Sequence, residues 1–84
     1  RADSEGLALS YAALCQTLEV PCHVAQGTLE EVPHFWAVVQ TPDGWRHIDL
    51  SAMNREEGSL YTDQQLLELG YIWDETALPA CGES

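Results

Sequence analysis

The chain has 84 residues, the size of one small domain, and fourteen acidic side chains against three arginines give it a formal net charge of −11. Such an acidic surface repels phosphate backbones and anionic membranes, which argues against a nucleic-acid partner. No stretch approaches the roughly 18–20 apolar residues of a transmembrane helix, so membrane insertion is not expected.

The first predicted element is a helix at the start of the chain. Asp3 and Ser4 are residue types that cap helix N-termini, and Pro21 disfavours helical backbone just before it. The residues between, up to about Leu18, are apolar on nearly all sides, which predicts a buried helix. Ser4 then lies where free N–H groups and the helix dipole favour negative charge, a suitable position for a nucleophile. Capping alone would also explain this serine.

Three strands and a turn follow. Residues 20–29 begin with alternating apolar and polar side chains, and residues 34–40 are rich in aromatic and β-branched types. Residues 41–44, Thr-Pro-Asp-Gly, are typical of a tight turn. Residues 45–50 return after it, so an antiparallel hairpin is predicted. The expected fold class is α+β, with a buried N-terminal helix packed on a small antiparallel sheet.

The C-terminal third is predicted to be less regular. Residues 51–60 are polar and form a loop, and Thr62 begins a short helix over residues 64–69 that a glycine closes. The aromatic residues 71–74 are expected to dock on the core. Beyond Pro79 the chain is expected to fray.

Three cysteines, Cys15, Cys22 and Cys81, are an odd number without a C-x-x-C pair, which argues against a disulfide framework or a four-cysteine zinc site. Cys15 is interpreted as a small buried hydrophobe. A single disulfide between Cys22 and Cys81 is neither predicted nor excluded. His23 and His47 lack a third ligand at metal-like spacing, so no metal site is predicted.

His34 and Asp49 form a candidate pair. In a hairpin that turns at residues 42–43 they fall at the same end of adjacent strands, where direct or diagonal partners are about 4.5–8 Å apart. A carboxylate that orients a histidine base towards a nucleophile, here Ser4, is the general arrangement of covalent catalysis. A strand-end histidine bonded to backbone and an aspartate that ends its strand are the plainer interpretations.

Three blocks of sequence, in order, resemble the core motifs of transglutaminase-like domains. Residues 4–8 (SEGLA) are similar to C-x-G-Y/F-A, and residues 19–27 (EVPCHVAQG) are similar to G-I-P-x-x-V-x-G with one more residue before the last glycine. Residues 34–38 (HFWAV) are similar to H-A-W-N-x-V, and residues 43–49 (DGWRHID) to D/G-G-W-Y-H-V-D. Residues 62–81 resemble the downstream segment of bacterial members, so the resemblance covers nearly the whole chain.

The resemblance implies a papain-like α+β core without cofactors, with a Cys-His-Asp triad that acts on amides by acyl transfer or hydrolysis. It implies His34 as the base and Asp49 as its orienting group, and it puts Ser4 at the position of the nucleophilic cysteine. Residues 1–84 would then be a single domain, an N-terminally truncated core fragment of a longer protein.

The same motifs contain two tryptophans, and the chain departs from the motifs at two positions. Trp36 and Trp45 are candidates for contact with substrate, although such aromatic residues more often pack in a core or at a sheet edge. Glu19 stands where the motif has glycine, and Ala37 stands where it has asparagine.

Ser4 decides the functional interpretation. A thiol, with a pKa of about 8.5, is readily ionised by a helix N-terminus and an imidazolium. A hydroxyl ionises far less easily and needs a general base and a matching oxyanion hole. The expected function is therefore that of a catalytically inactive module that binds a peptide or protein. Two alternatives stay open: an amide-directed acyl transferase or peptidase, using Ser4 or having had its native cysteine replaced, and a structural fragment completed by homodimerisation. A bacterial cell surface, exterior or cytoplasm would each be compatible with the chain.

Overall fold

The structure, a computed structural model, describes residues 4–49 and 60–82. Its elements in chain order are α1 (Ser4–Thr17), β1 (Cys22–Leu29), β2 (Val32–Thr41), β3 (Gly44–Ile48), α2 (Asp63–Glu68), β4 (Tyr71–Trp73) and a 3-10 turn (Glu75–Ala77). The strands form one antiparallel sheet in the order β3-β2-β1-β4, with α1 packed on β1 and β2. The predicted α+β class is confirmed. The loop predicted over residues 51–60 lies outside the described residues except for Leu60. No helix in the described part of the chain is long and apolar enough to cross a bilayer.

Two tight turns align the first three strands. The predicted hairpin is confirmed: β2 and β3 pair from Thr41 opposite Gly44 to Ala37 opposite Ile48. Gly44 has a φ of 116°, a conformation that glycine adopts without steric cost. At the other end of β2, Glu30 has a φ of 52°, as a two-residue hairpin turn of the primed type requires. β2 therefore begins at residue 32, two residues earlier than predicted.

The prediction that the first helix is buried on nearly all sides is wrong. Ala8 and Cys15 face the sheet and are 4 % and 5 % exposed, whereas Leu9 and Leu14 are 52 % and 54 % exposed. Leu18, just after the helix, is 63 % exposed. A single layer covers α1 in the described structure, and apolar composition alone does not reveal how many layers cover a helix. A homodimer that would bury the outward leucines stays a prediction.

β2 is buried on both faces. Its four consecutive residues from Trp36 to Val39 are all buried, which is the pattern of a strand covered on two sides. α1 covers one face. On the other face Trp36 packs with Leu66 of α2 and with Tyr71 and Trp73 of β4. The sequence predicted that residues 71–74 dock on the core but did not predict that they form a strand, which pairs with β1.

The last described residues are fixed by α2. The predicted short helix is confirmed, and Thr62 forms a capping box with Gln65. The expectation that the chain frays beyond Pro79 is wrong for the described residues, because Cys81 is 1 % exposed. Its backbone N–H donates to Asp63 Oδ2 at 3.1 Å, and its carbonyl accepts from the backbone N–H of the same residue. These long-range bonds hold the last described residues against the core.

Candidate functional site

His34 and Asp49 meet as predicted from the hairpin. Ala37 pairs with Ile48, so one more step of the register brings Asp49 opposite Trp36 and diagonal to His34 on the same face. His34 Nε2 lies 2.6 Å from Asp49 Oδ2, and the side chains are 16 % and 2 % exposed. An ionised carboxylate only accepts hydrogen bonds, so Nε2 carries the proton and donates it. Any base function of His34 would then reside at Nδ1.

A third side chain joins this pair. The Tyr71 hydroxyl donates to Asp49 Oδ2 at 2.7 Å, to the same oxygen that receives His34. Tyr71 is 2 % exposed, and both burial and its bond to Asp49 raise its pKa well above the ordinary value of 10. It stays a hydrogen-bond donor at neutral pH. This role could not be predicted from the sequence, because it depends on the pairing of β4 with β1.

Ser4 lies next to the same strand. Its Oγ accepts a hydrogen bond from the backbone N–H of Phe35 at 3.2 Å, and Phe35 directly follows His34. Ser4 is the first residue of α1, and it is half-buried. The structure therefore brings His34 and Asp49 into direct contact and docks Ser4 on the residue beside His34.

The two candidate substrate-contacting tryptophans lie in different environments. Trp36 is 1 % exposed, and its indole N–H donates to His47 Nδ1 at 3.0 Å. Trp45 is half-buried and packs at the edge of the core. The centre of its ring lies 5.2 Å from the centre of the His23 ring. The environment of Trp36 is that of a core residue, which is the plainer of the two interpretations. Contact with substrate stays a prediction for both.

A second histidine–carboxylate pair lies in the core and was not predicted. His47 is fully buried, and its Nε2 lies 2.6 Å from Asp63 Oδ1. An indole N–H can only donate, so Nδ1 of His47 is an acceptor from Trp36 and the proton is on Nε2. Burial lowers the pKa of His47 below 6.5, an effect that Asp63 and Glu75 partly oppose. This histidine is therefore a neutral structural residue at pH 7.

The same cluster contains three potential metal ligands. His47, Asp63 and Cys81 present one ligand atom each, and these atoms lie within 4.8 Å of one another. The nitrogen that faces Asp63 carries the proton, however, so a metal bound there would require an imidazolate or the loss of the Trp36 bond. Burial, aided by Asp63, raises the pKa of Cys81 to about 12, which disfavours the thiolate that a metal needs. The cluster fits a hydrogen-bonded core network better than a metal site.

The cysteines do not supply an alternative nucleophile. All three are free, so the Cys22–Cys81 bridge that the sequence left open is not formed. Burial and the neighbouring Cys15 raise the pKa of Cys22 to about 12, and Cys15 itself is 5 % exposed. A thiol with a pKa of about 12 is protonated at neutral pH, and a buried thiol is not accessible to a substrate.

An open groove of about 590 Å³ lies between α1 and residues 19–22, with Cys22 in its lining. None of its lining residues belongs to the histidine–carboxylate pair. The chemistry of His34 and Asp49, rather than the size of this groove, identifies the candidate site.

Comparison with protein-family models, with curated proteins and with solved structures finds no match to this chain.

Proposed function

We propose that this chain is a transglutaminase-like domain with a papain-like core that binds a peptide or protein without turning it over. The observation that carries the proposal is the 2.6 Å bond between His34 and Asp49, with Ser4 docked at the N-terminus of α1 on the residue after His34. A histidine oriented by a carboxylate beside a helix N-terminus is the arrangement that activates a thiol.

The backbone at Glu19 supports the same proposal. This residue stands where the resembling motif has glycine, and its φ is 62°, a left-handed conformation that glycine favours. The α1–β1 connection therefore has the shape that the motif's glycine would allow. The support is independent of the histidine–carboxylate pair, because Glu19 lies at the opposite end of α1 from Ser4.

Ser4 has a structural role that fits an inactive site. β3 pairs with β2 only over residues 37–41, and beyond them the Ser4 hydroxyl accepts from the backbone N–H of Phe35. That bond engages one of the two lone pairs of the hydroxyl oxygen. A hydroxyl is also not ionised by the helix dipole and an imidazolium in the way a thiol is. Ser4 is then a structural residue and not a nucleophile for the pair of His34 and Asp49 to activate.

An active enzyme is the second candidate, favoured by the same closeness of Ser4 to the residue after His34. In that case Ser4 attacks an amide carbonyl, His34 Nδ1 takes the hydroxyl proton and returns it to the leaving amine, and Asp49 orients the imidazole. Water or an amine then attacks the acyl-enzyme, its acyl group leaves Ser4, and the proton of the attacking molecule returns to the Ser4 oxygen through His34. The two candidates differ in whether the unsubstituted protein turns over an amide substrate.

The Ser4→Cys variant tests the proposal. We expect its new thiol to react with iodoacetamide at pH 6 at least about tenfold faster than the thiol of Ser10→Cys, because His34 and the helix N-terminus favour the thiolate. Ser10→Cys is a matched control, since Ser10 is exposed on the same helix. Adding His34→Ala to Ser4→Cys is expected to remove the advantage. Mass spectrometry of the alkylated peptides separates this thiol from the native ones.

Each outcome discriminates between the candidates. Fast, His34-dependent alkylation together with no turnover of glutamine-containing peptides by the unsubstituted protein supports the inactive binding domain. Turnover that is lost in Ser4→Ala supports the serine enzyme instead. Alkylation no faster than in Ser10→Cys, or insensitive to His34→Ala, overturns the assignment of both candidates.

A further inference from the structure

We propose that Tyr71 is a positioning residue of this site, whose hydroxyl holds Asp49 in the orientation that fixes the ring of His34. The inference is based on the geometry of three side chains. Its consequence for reactivity rests on the proposed function. Tyr71 would act through Asp49 and His34 and would not touch the substrate.

The geometry converges on one atom. Asp49 Oδ2 accepts from His34 Nε2 at 2.6 Å and from the Tyr71 hydroxyl at 2.7 Å. A carboxylate oxygen has two lone pairs, and two donors at these distances use both. With Tyr71 bonded, rotation of the carboxylate would break two charge-assisted bonds at once. Without Tyr71, the same rotation would break one charge-assisted bond fewer.

Tyr71 is itself held firmly. β4 pairs it with Leu29 of β1, and its ring lies edge-on to the rings of Trp36 at 5.0 Å and His34 at 6.1 Å. The side chain is 2 % exposed, so the hydroxyl cannot exchange Asp49 for bulk water without movement of β4. A donor on a fixed strand is suited to fixing a carboxylate at the end of another strand.

The hydroxyl also has an electrostatic effect. Asp49 is 1 % exposed, and a buried carboxylate is unfavourable unless donors satisfy its oxygens. The Tyr71 hydroxyl is a neutral donor. It therefore stabilises the Asp49 anion without neutralising the negative charge that interacts with His34. An anionic Asp49 is what stabilises an imidazolium and thus a neighbouring thiolate.

Two measurements on Tyr71→Phe test the inference. Phenylalanine keeps the ring contacts and removes only the hydroxyl. In the Ser4 protein, we expect the downfield proton NMR resonance of His34 Nε2–H to move upfield or to be lost to exchange. In the Ser4→Cys background, we expect alkylation at pH 6 to slow about tenfold, as for the loss of one hydrogen bond to a charged group. Tyr11→Phe, which removes a half-buried hydroxyl on α1, is expected to change neither.

A third measurement needs no substitution. The Tyr71 hydroxyl proton and the His34 Nε2 proton point to the same oxygen, so a nuclear Overhauser effect between them is expected in the unsubstituted protein. Its presence supports the inference even where Tyr71→Phe unfolds. If the His34 resonance is visible without this effect, the shared oxygen is wrong.

The outcomes separate the two proposals. An unchanged His34 resonance and an unchanged alkylation rate in Tyr71→Phe overturn the role of Tyr71 and leave the proposed function standing. A thiol in Ser4→Cys that is not activated at all overturns the proposed function. The NMR measurements would still decide whether Tyr71 fixes Asp49.

Discussion

Replacement of Gly27 by alanine is expected to lower the midpoint of thermal unfolding by at least about 10 °C, corresponding to about 3 kcal/mol or more. Gly27 pairs with His34 of β2 and with Trp73 of β4, so it lies between both neighbours. A Cβ there would overlap the carbonyl oxygen of Ile72 and lie 2.9 Å from the indole of Trp36. Backbone oxygen cannot move aside as a flexible side chain can, so β4 must separate from β1.

Gly82 provides the matched control. A Cβ at that position would meet no atom within 4 Å, so Gly82→Ala is expected to change the free energy of unfolding by less than about 0.5 kcal/mol. Thermal unfolding followed by circular dichroism measures both variants. If Gly27→Ala melts within about 2 °C of the unsubstituted protein, the close approach of β4 and Trp36 to β1 is wrong.

Acidification from about pH 6.5 to 5 is expected to destabilise the protein through His47, by up to about 1.4 kcal/mol per pH unit. The pKa of His47 in the folded state is lowered below the ordinary 6.5 by burial. The unfolded chain therefore takes up a proton first as the pH falls. The stability that the neutral ring contributes is complete above 6.5 and is lost progressively below it. In the folded protein, protonation would set an Nδ1–H against the indole N–H of Trp36.

Urea unfolding at several pH values measures this slope. His47→Gln does not titrate, and its amide can accept from Trp36 and donate to Asp63, so its stability should depend less on pH over this range. His23→Gln is the control, because His23 is exposed. An equal slope in the unsubstituted protein and in His47→Gln would assign the acid sensitivity to other groups.

The parts of the fold that sequence could predict are those determined by neighbouring residues. The Thr-Pro-Asp-Gly turn sets the β2–β3 register, and that register alone brings Asp49 diagonal to His34. Thr62 likewise caps α2 through Gln65, three residues away. Local turn and cap chemistry thus predicted the His34–Asp49 pair, the β2–β3 hairpin and α2.

What sequence could not predict depends on distant pairings. β4 has three residues, too few for a periodic pattern, and only its pairing with β1 turns Tyr71 towards Asp49. Cys81 is buried because Asp63, eighteen residues earlier, bonds its backbone. The outward exposure of Leu14 depends on how many layers surround α1, which composition does not encode.

The bond between Tyr71 and Asp49 joins the two margins of the sheet. β3 and β4 are its edge strands, and Asp49 follows one while Tyr71 begins the other. Strands at the margin of a sheet tend to open before central ones, and on its outer side β3 is paired with Tyr61 through the two backbone hydrogen bonds of His47. Opening of either margin would break the bond between Tyr71 and Asp49 while β1 and β2 remain paired. Exchange of the His34 Nε2 proton should therefore report partial opening. Its free energy of exchange is expected to be lower than that of the backbone amides at the β1–β2 centre.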